Sequence, residues 1–215
     1  RITHLTFVFI TASLLASVGL SASTDDLKQA LATVEPEDQV PYLKKMLADD
    51  RRNADLTYYL GNAYLSLDNP DSAIAYFTRT IELDSTYAKA YVNLGVALER
   101  IDRFAHAKQN YLLAIKHDPT DVLAHCHLGH YFYVHGQTAD AVDYYRRALA
   151  IDPNSAQAHY NLGLAFADSR LFAEAVREWE RVVELSPDSE LGKTAAENVG
   201  LIRTYLEVGG SKKKE

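Results

Sequence analysis

A 34-residue pattern recurs four times in this chain without insertion or deletion, over residues 54–87, 88–121, 122–155 and 156–189. Each copy has Leu-Gly at its seventh and eighth positions, Ala at its twentieth and a large aromatic residue at its twenty-fourth. The glycines are Gly61, Gly95, Gly129 and Gly163, and the aromatic residues are Phe77, Tyr111, Tyr145 and Trp179. Four copies in phase indicate a repeat protein, in which each unit is one supersecondary element.

Within each copy, apolar residues recur at steps of three and four, which indicates two amphipathic helices. Such short helices are not stable alone in water and must pack against their neighbours. The small residues at positions 8 and 20 predict that two helix backbones approach closely there. The spacing predicts helices over 54–67 and 70–83, 88–101 and 104–117, 122–135 and 138–151, and 156–169 and 172–185. Asn53 and Asn69 are the expected N-caps of the first pair.

This pattern resembles the tetratricopeptide repeat family, whose unit is a helix, a short turn and a second helix. The resemblance implies an all-α, right-handed superhelical solenoid in which stacked units bury a continuous core and the two ends are capped. It is specific for the fold and less so for function, because scaffold positions define the family.

The segments on either side of the repeats are predicted to be caps. Residues 24–53 are interpreted as a degenerate helical half-repeat, with helices over 25–34 and 37–47 and both Pro36 and Pro41 in or near the first turn of the second helix. Residues 190–208 lack the Leu-Gly pair but carry an apolar stripe, which predicts a C-terminal capping helix. Residues 209–215 are predicted to form a disordered tail.

The first 23 residues have the order of a secretory signal peptide: a short basic start, an apolar run and a small-residue exit. This predicts export, to the periplasm or out of the cell. The apolar run over 5–20 has about 16 residues, fewer than the ~20 of a spanning helix, so an N-terminal membrane anchor is the alternative.

Composition and motifs limit the function. A net charge of −7 argues against a nucleic-acid partner, for which a basic stripe is expected. The single cysteine, Cys126, excludes an intramolecular disulfide. We find no phosphate loop, nucleophile elbow, zinc-protease motif or Cys-x-x-Cys pair, so the chain is predicted to be non-catalytic and to hold no cofactor.

In tetratricopeptide proteins the first helices line a concave groove, and the resemblance implies that positions 2, 5, 6, 9, 12 and 13 of each unit face it. We call these the groove positions. This surface is aromatic, apolar and amide-bearing, which suits a peptide or an amphipathic helix of a protein partner. The candidate partner-binding residues are Tyr58, Asn62, Lys89, Asn93, Val96, Cys126, His127, His130, Tyr133, Tyr160, Asn161 and Leu164.

Two binding modes of the family can be compared with these residues. Binders of chaperone tails hold a terminal carboxylate with three cations, but Tyr58, Leu123 and His127 stand at those places, which excludes that mode. An asparagine ladder at position 6 could instead hold the backbone of an extended peptide, and Asn93 and Asn161 match it. The alternative interpretation is that these asparagines serve the scaffold.

Other classes of function stay open at this point. The chain could be the substrate-recruiting part of a larger enzyme system, such as a glycosyltransferase. It could also be a metal-binding or pH-sensing envelope protein, because Cys126, His127 and His130 lie within one helical turn and are potential ligands or titrating groups. Self-association through the ends of the solenoid is a further expectation.

Overall fold

The computed structural model of the protein describes residues 24–211 as eleven α-helices, with no strand in that range. The predicted signal peptide over 1–23 and the last residues of the predicted tail, 212–215, lie outside the described residues. The helices are α1 Thr24–Leu31, α2 Pro36–Asp49, α3 Ala54–Ser66, α4 Pro70–Leu83, α5 Ala88–Glu99, α6 Phe104–His117, α7 Val122–Val134, α8 Thr138–Ile151, α9 Ala156–Asp168, α10 Phe172–Leu185 and α11 Glu190–Ser211.

The chain divides into two compact units, residues 1–110 and 111–215, with the boundary inside α6. In the first unit α2 packs on α3, α3 on α4 and α4 on α5. In the second unit α7 packs on α8, α8 on α9, α9 on α10 and α10 on α11. Consecutive helices are thus neighbours within each unit, and the predicted all-α architecture of helix pairs is confirmed.

In repeats 1, 3 and 4 the core contains an aromatic ring of the second helix that lies over the glycine of the first. A Cβ added to Gly61 would come within 2.5 Å of the Phe77 ring, and one added to Gly163 within 2.5 Å of Nε1 of Trp179. The expectation that two backbones meet at position 8 is therefore corrected, because the ring needs the space. The alanine at position 20 is completely buried in all four repeats.

Helices α3 and α4 begin at the N-caps predicted for them. The side chain of Asn53 accepts from the backbone N–H of Leu56 at 3.1 Å, and that of Asn69 accepts from the N–H of Ser72 at 3.1 Å. Asp121 caps α7 in the same way, with its carboxylate 2.9 Å from the nitrogen of Ala124. Each cap satisfies a backbone donor that the first turn leaves without a helical partner.

The first helices of the repeats end one or two residues earlier than predicted, because the residue at position 15 adopts a left-handed conformation. Position 15 is Asp68, Asp102, Gly136 and Arg170, with φ of 53°, 59°, 73° and 60°. After it, the N–H at position 16 donates to the carbonyl at position 11 in every repeat, as Leu171 does to Phe166 at 2.9 Å. This is a Schellman motif. Only one of the four sites holds the glycine that would have revealed it in the sequence.

The caps depart from their predicted limits. Pro41 lies in the second turn of α2 rather than the first, where its missing N–H costs a helical hydrogen bond. Helix α11 passes through Gly209 and Gly210 to Ser211, three residues beyond its predicted end. Glycine lowers helix propensity without forbidding the helical conformation, so two glycines do not end the helix.

Substitution by alanine should have opposite effects on stability at two glycines, Gly136, which has a positive φ at position 15, and Gly200, which lies within helix α11. Gly136→Ala should lower the free energy of unfolding by about 1 kcal/mol, because alanine is strained at positive φ. A Cβ at this residue meets nothing within 4 Å, so a steric clash does not contribute. Gly200→Ala, on α11 and equally free of contacts, should raise it by about 0.5–1 kcal/mol through helix propensity. Urea unfolding of both variants checks this, and a gain in stability for Gly136→Ala would contradict the left-handed assignment.

Candidate partner-binding face

In the first unit, three of the candidate residues form one hydrogen-bonded group. The Asn93 amide on α5 donates to the hydroxyl of Tyr58 at 3.1 Å and to Oδ1 of Asn62 at 2.7 Å, both on α3. Positions 5, 6 and 9 of neighbouring repeats thus lie together, while their role in binding a partner stays a prediction. Both N–H bonds of the Asn93 amide are used inside the protein, which favours the scaffold interpretation of this asparagine over a peptide ladder.

A residue that sequence reasoning missed extends this group. The ring of Tyr87 lies 5.0 Å from the ring of Tyr58, and its hydroxyl donates to Oδ1 of Asp55 at 2.7 Å. Burial, together with the bond to Asp55, raises the pKa of Tyr87 above its ordinary value. Tyr87 is the last residue of repeat 1, outside the groove positions. The only signal for it was a large aromatic residue in a turn where the other repeats have Asp121, Ser155 and Ser189.

The other two candidate residues of the first unit, Lys89 and Val96, differ in their solvent exposure. The side chain of Lys89 is exposed at the start of α5, whereas Val96 is half-buried on the same helix. Val92, at position 5, is buried at 3% exposure. The first unit thus presents a tyrosine and asparagine surface with a lysine at its edge.

In the second unit, Cys126 is not part of the face, which corrects its predicted role. Its side chain is 3% exposed and packs in a small cluster with Ala148 and Ala158. Burial raises the pKa of the thiol to about 12. Position 5 holds tyrosine in repeats 1 and 4, whereas the small cysteine of repeat 3 is covered by its neighbours.

His127 and His130 lie on α7 in different environments. The ring of His127 is half-buried and stacks on Tyr111, with ring centres 5.1 Å apart and planes at 11°. Burial, and then the nearby His130, lower the pKa of His127 to about 4. His130 has an exposed side chain, and desolvation on its buried side lowers its pKa. At neutral pH the two imidazoles are therefore uncharged.

The remaining candidates form an aromatic and apolar strip on α7 and α9. Tyr133 donates to the carboxylate of Asp168 in the next repeat, and burial followed by that bond raises its pKa to about 12. Tyr160 is half-buried with its ring 6.3 Å from that of Trp179, whose Nε1 donates to the Tyr160 carbonyl at 3.1 Å. Leu164 is half-buried on the same helix. We call Leu123, Tyr133, Tyr160 and Leu164 the unit-2 strip.

Asn161 and Asn93 have different kinds of hydrogen-bond partner. Its Oδ1 accepts from Nε2 of Gln157 at 2.9 Å, one turn earlier on α9. The bond lies within one helix, whereas that of Asn93 joins two repeats. The position-6 asparagines therefore make different contacts in the two units.

The metal-binding alternative is not supported by this geometry. Cys126 points into the core while His127 stacks on Tyr111, so the three side chains do not converge. Over residues 24–211, no group of three or more His, Cys, Asp or Glu side chains has an arrangement that could hold a metal ion. In the same residues no helix has the length and apolar character to cross a membrane.

Comparison with known proteins identifies the family. The sequence profile described as tetratricopeptide repeat matches residues 40–88, 58–122 and 126–190, which together make up more than half of the chain. The chain belongs to the tetratricopeptide repeat family. The predicted all-α repeat solenoid is thereby confirmed as its fold class. No curated protein matches the sequence.

Solved tetratricopeptide structures are similar to this chain. A crystal structure of MamA shares 27% identity and a TM-score of 0.63, covering 75% of this chain and 94% of that one. MamA from Desulfovibrio magneticus RS-1 shares 21% identity and a TM-score of 0.63, covering 76% and 92%. YrrB, described as a TPR protein with an unusual peptide-binding site, shares 20% and a TM-score of 0.59, covering 80% and 89%. For the last two structures, which share 21% and 20% identity with this chain, the similarity concerns the fold alone.

The environment of His127 predicts a pH dependence of stability. An unfolded histidine titrates near 6.5 whereas folded His127 titrates near 4, so the unfolded chain binds the proton first as the pH falls. The contribution of His127 is complete above pH 6.5 and is lost as the pH drops from 6.5 to 4. Replacing His127 with Asn, the residue at this position in repeats 2 and 4, should reduce that loss in urea unfolding. An NMR titration midpoint of His127 near 6.5 would contradict the prediction.

Proposed function

We propose that this protein is a non-catalytic interaction scaffold that binds a peptide or a helix of a partner protein on its groove positions. The observation that carries the proposal is the unit-2 strip. Leu123 is 56% exposed, and Tyr133, Tyr160 and Leu164 are half-buried. Tyrosine and leucine anchors at helical spacing are the contacts by which an apolar segment of a partner is held.

Three side chains of α7 that could do chemistry are already engaged in the structure. Cys126 is buried, Tyr133 is bonded to Asp168, and His127 is stacked and uncharged at neutral pH. Catalysis requires convergent groups with tuned pKa values around a concave site where the reacting atom can sit. Cys126, His127 and Tyr133 make contacts within the protein instead, which supports a binding role.

We propose that the protein acts outside the cytoplasm, because its first 23 residues have the order of a signal peptide. Their basic start, apolar run and small-residue exit are the features that secretion machinery recognises. A scaffold with this leader would recruit its partner in the envelope or outside the cell. An uncleaved segment over 5–20 would hold the same scaffold at the membrane.

The binding role is tested by affinity capture from an envelope extract. The full chain should retain a partner protein that the double variant Tyr133→Ala with Tyr160→Ala loses, because both substitutions remove anchors of the unit-2 strip. The matched control is Leu112→Ala with Leu113→Ala, two exposed residues on the second helix α6, and it should retain the partner. Circular dichroism confirms that each variant is folded. Equal retention by both double variants would place binding elsewhere and defeat the proposal.

Export is tested by the mass of the protein recovered from cells that express the complete chain. Cleavage by a signal peptidase should yield a species that begins after Ala22 or Ser23 and is found in the envelope or the medium. A membrane-bound product that retains residues 5–20 would support the anchor instead. Recovery of an unprocessed chain from the cytosol would contradict both.

A further inference from the structure

The last helix is longer than its packing requires. Helix α11 has 22 residues whereas α9 has 13, so at ~1.5 Å per residue it extends about 13 Å further. It packs on α10 through Ala195, Val199 and Ile202, which are at most 8% exposed. Every residue from 203 to 208 is exposed. The buried contacts of the helix thus end at Ile202.

The second half of α11 carries an exposed apolar stripe, formed by Leu201, Tyr205 and Val208, which we call the C-terminal stripe. These residues are 69%, 63% and 56% exposed, and their spacing of four and three residues places them on one side of the helix. The ring of Tyr205 touches that of Phe172 at the start of α10, with centres 5.5 Å apart. Scattered apolar residues on a surface need no explanation, but a contiguous stripe indicates an interaction site.

The register of the repeats relates this stripe to the unit-2 strip. Helix α11 packs on α10 and contacts α9, as α9 packs on α8 and contacts α7. Counting 34 residues from repeat 4 places Leu191, Asn198 and Leu201 at groove positions 2, 9 and 12. Tyr133 and Ala167 occupy position 12 in the two preceding repeats. Leu201 is therefore the next residue of the same row, and Tyr205 and Val208 prolong it.

We propose that α11 is a binding element as well as a cap: the C-terminal stripe and the unit-2 strip together bind an amphipathic helix of a partner protein with an apolar stripe and a basic flank. This inference rests on the proposed function and adds the chemistry of the partner. A helix fits because a stripe that runs along α11 is the kind of surface on which one helix lies beside another.

The charges of the second unit argue for a basic flank. None of its groove positions holds Lys or Arg, and the charged residue among them is Asp168. Glu197 is exposed one turn before Leu201, on the border of the C-terminal stripe. The two cations of the described part of α11 are both engaged, Lys193 with Glu190 and Arg203 with Glu180 on α10. With His127 uncharged at neutral pH, lysines or arginines on the partner would meet the carboxylates of Asp168 and Glu197.

The small area of the stripe argues against a second copy of this chain as the occupant. Three exposed side chains offer a few hundred Å² at most, roughly half of the ~800 Å² that each partner buries in a standard interface. A helix that lies across the unit-2 strip as well would gain the missing area. The occupant favoured by size is therefore a partner that covers both surfaces.

The test measures fluorescence anisotropy of two labelled synthetic helical peptides of roughly 18 residues, long enough to form helix. Both carry the same leucine stripe, with lysines on the flanks of one and glutamates on the flanks of the other. The full chain should bind the lysine peptide at least about tenfold more tightly. Leu201→Ser with Tyr205→Ser should weaken that binding about tenfold. The matched control is Leu206→Ser, the same kind of change at a 49% exposed residue on another side of α11, and it should leave the affinity unchanged.

Each other outcome overturns a defined part of the inference. Loss of binding in Tyr133→Ala with Tyr160→Ala but not in the stripe variant would leave the proposed function intact and refute the role of α11. Equal or stronger binding of the glutamate peptide would refute the basic flank. Stripe-dependent sedimentation with phosphatidylserine vesicles would make a lipid surface the occupant, and a stripe-dependent dimer in analytical ultracentrifugation would make it a second copy. Absence of binding to either peptide refutes the inference, while the capture experiment still decides the proposed function.

Discussion

The contact between the position-24 ring and the position-8 glycine is the constraint on which the rest of this structure depends. Where Phe77, Tyr145 and Trp179 lie over Gly61, Gly129 and Gly163, the ring occupies the space that any Cβ would fill. It fixes the distance and rotation of the two helices within each pair, because a ring can be placed over a missing side chain in only one way. The turn between the two helices has a nearly constant length for the same reason, because it must bring the ring of the second helix opposite the glycine of the first.

Because this contact lies inside a repeat, in repeats 1, 3 and 4, the bonds between repeats can differ from one pair to the next. Asn93 joins repeats 1 and 2 through two hydrogen bonds, and Tyr133 joins repeats 3 and 4 through Asp168. These residues are at groove positions, where they also meet the solvent. The scaffold is thus uniform in its core and differs between repeats at the groove positions, which explains why family membership predicts the fold better than the partner.

The sequence predicts most of the fold because the signals are local and repeated. The second helix of every repeat begins and ends as predicted, since its limits follow from the apolar spacing and, in α4, from Asn69 and Pro70. The first helices end early because Asp68, Asp102 and Arg170 adopt a conformation that favours glycine. On the binding side, the row of Tyr133, Tyr160 and Leu164 follows from the register. The burial of Cys126 and the recruitment of Tyr87 depend on neighbours in other helices, which spacing within one repeat does not reveal.

The uniform 34-residue step has a consequence for the history of the protein. An insertion or loss of one whole unit leaves every ring over a glycine and returns the chain to the same phase, so recombination between copies yields a folded product. A shift of any other length separates rings from glycines. Gene duplication can therefore lengthen or shorten this chain in single steps, while the two ends, which have no matching partner for such an exchange, stay as they are.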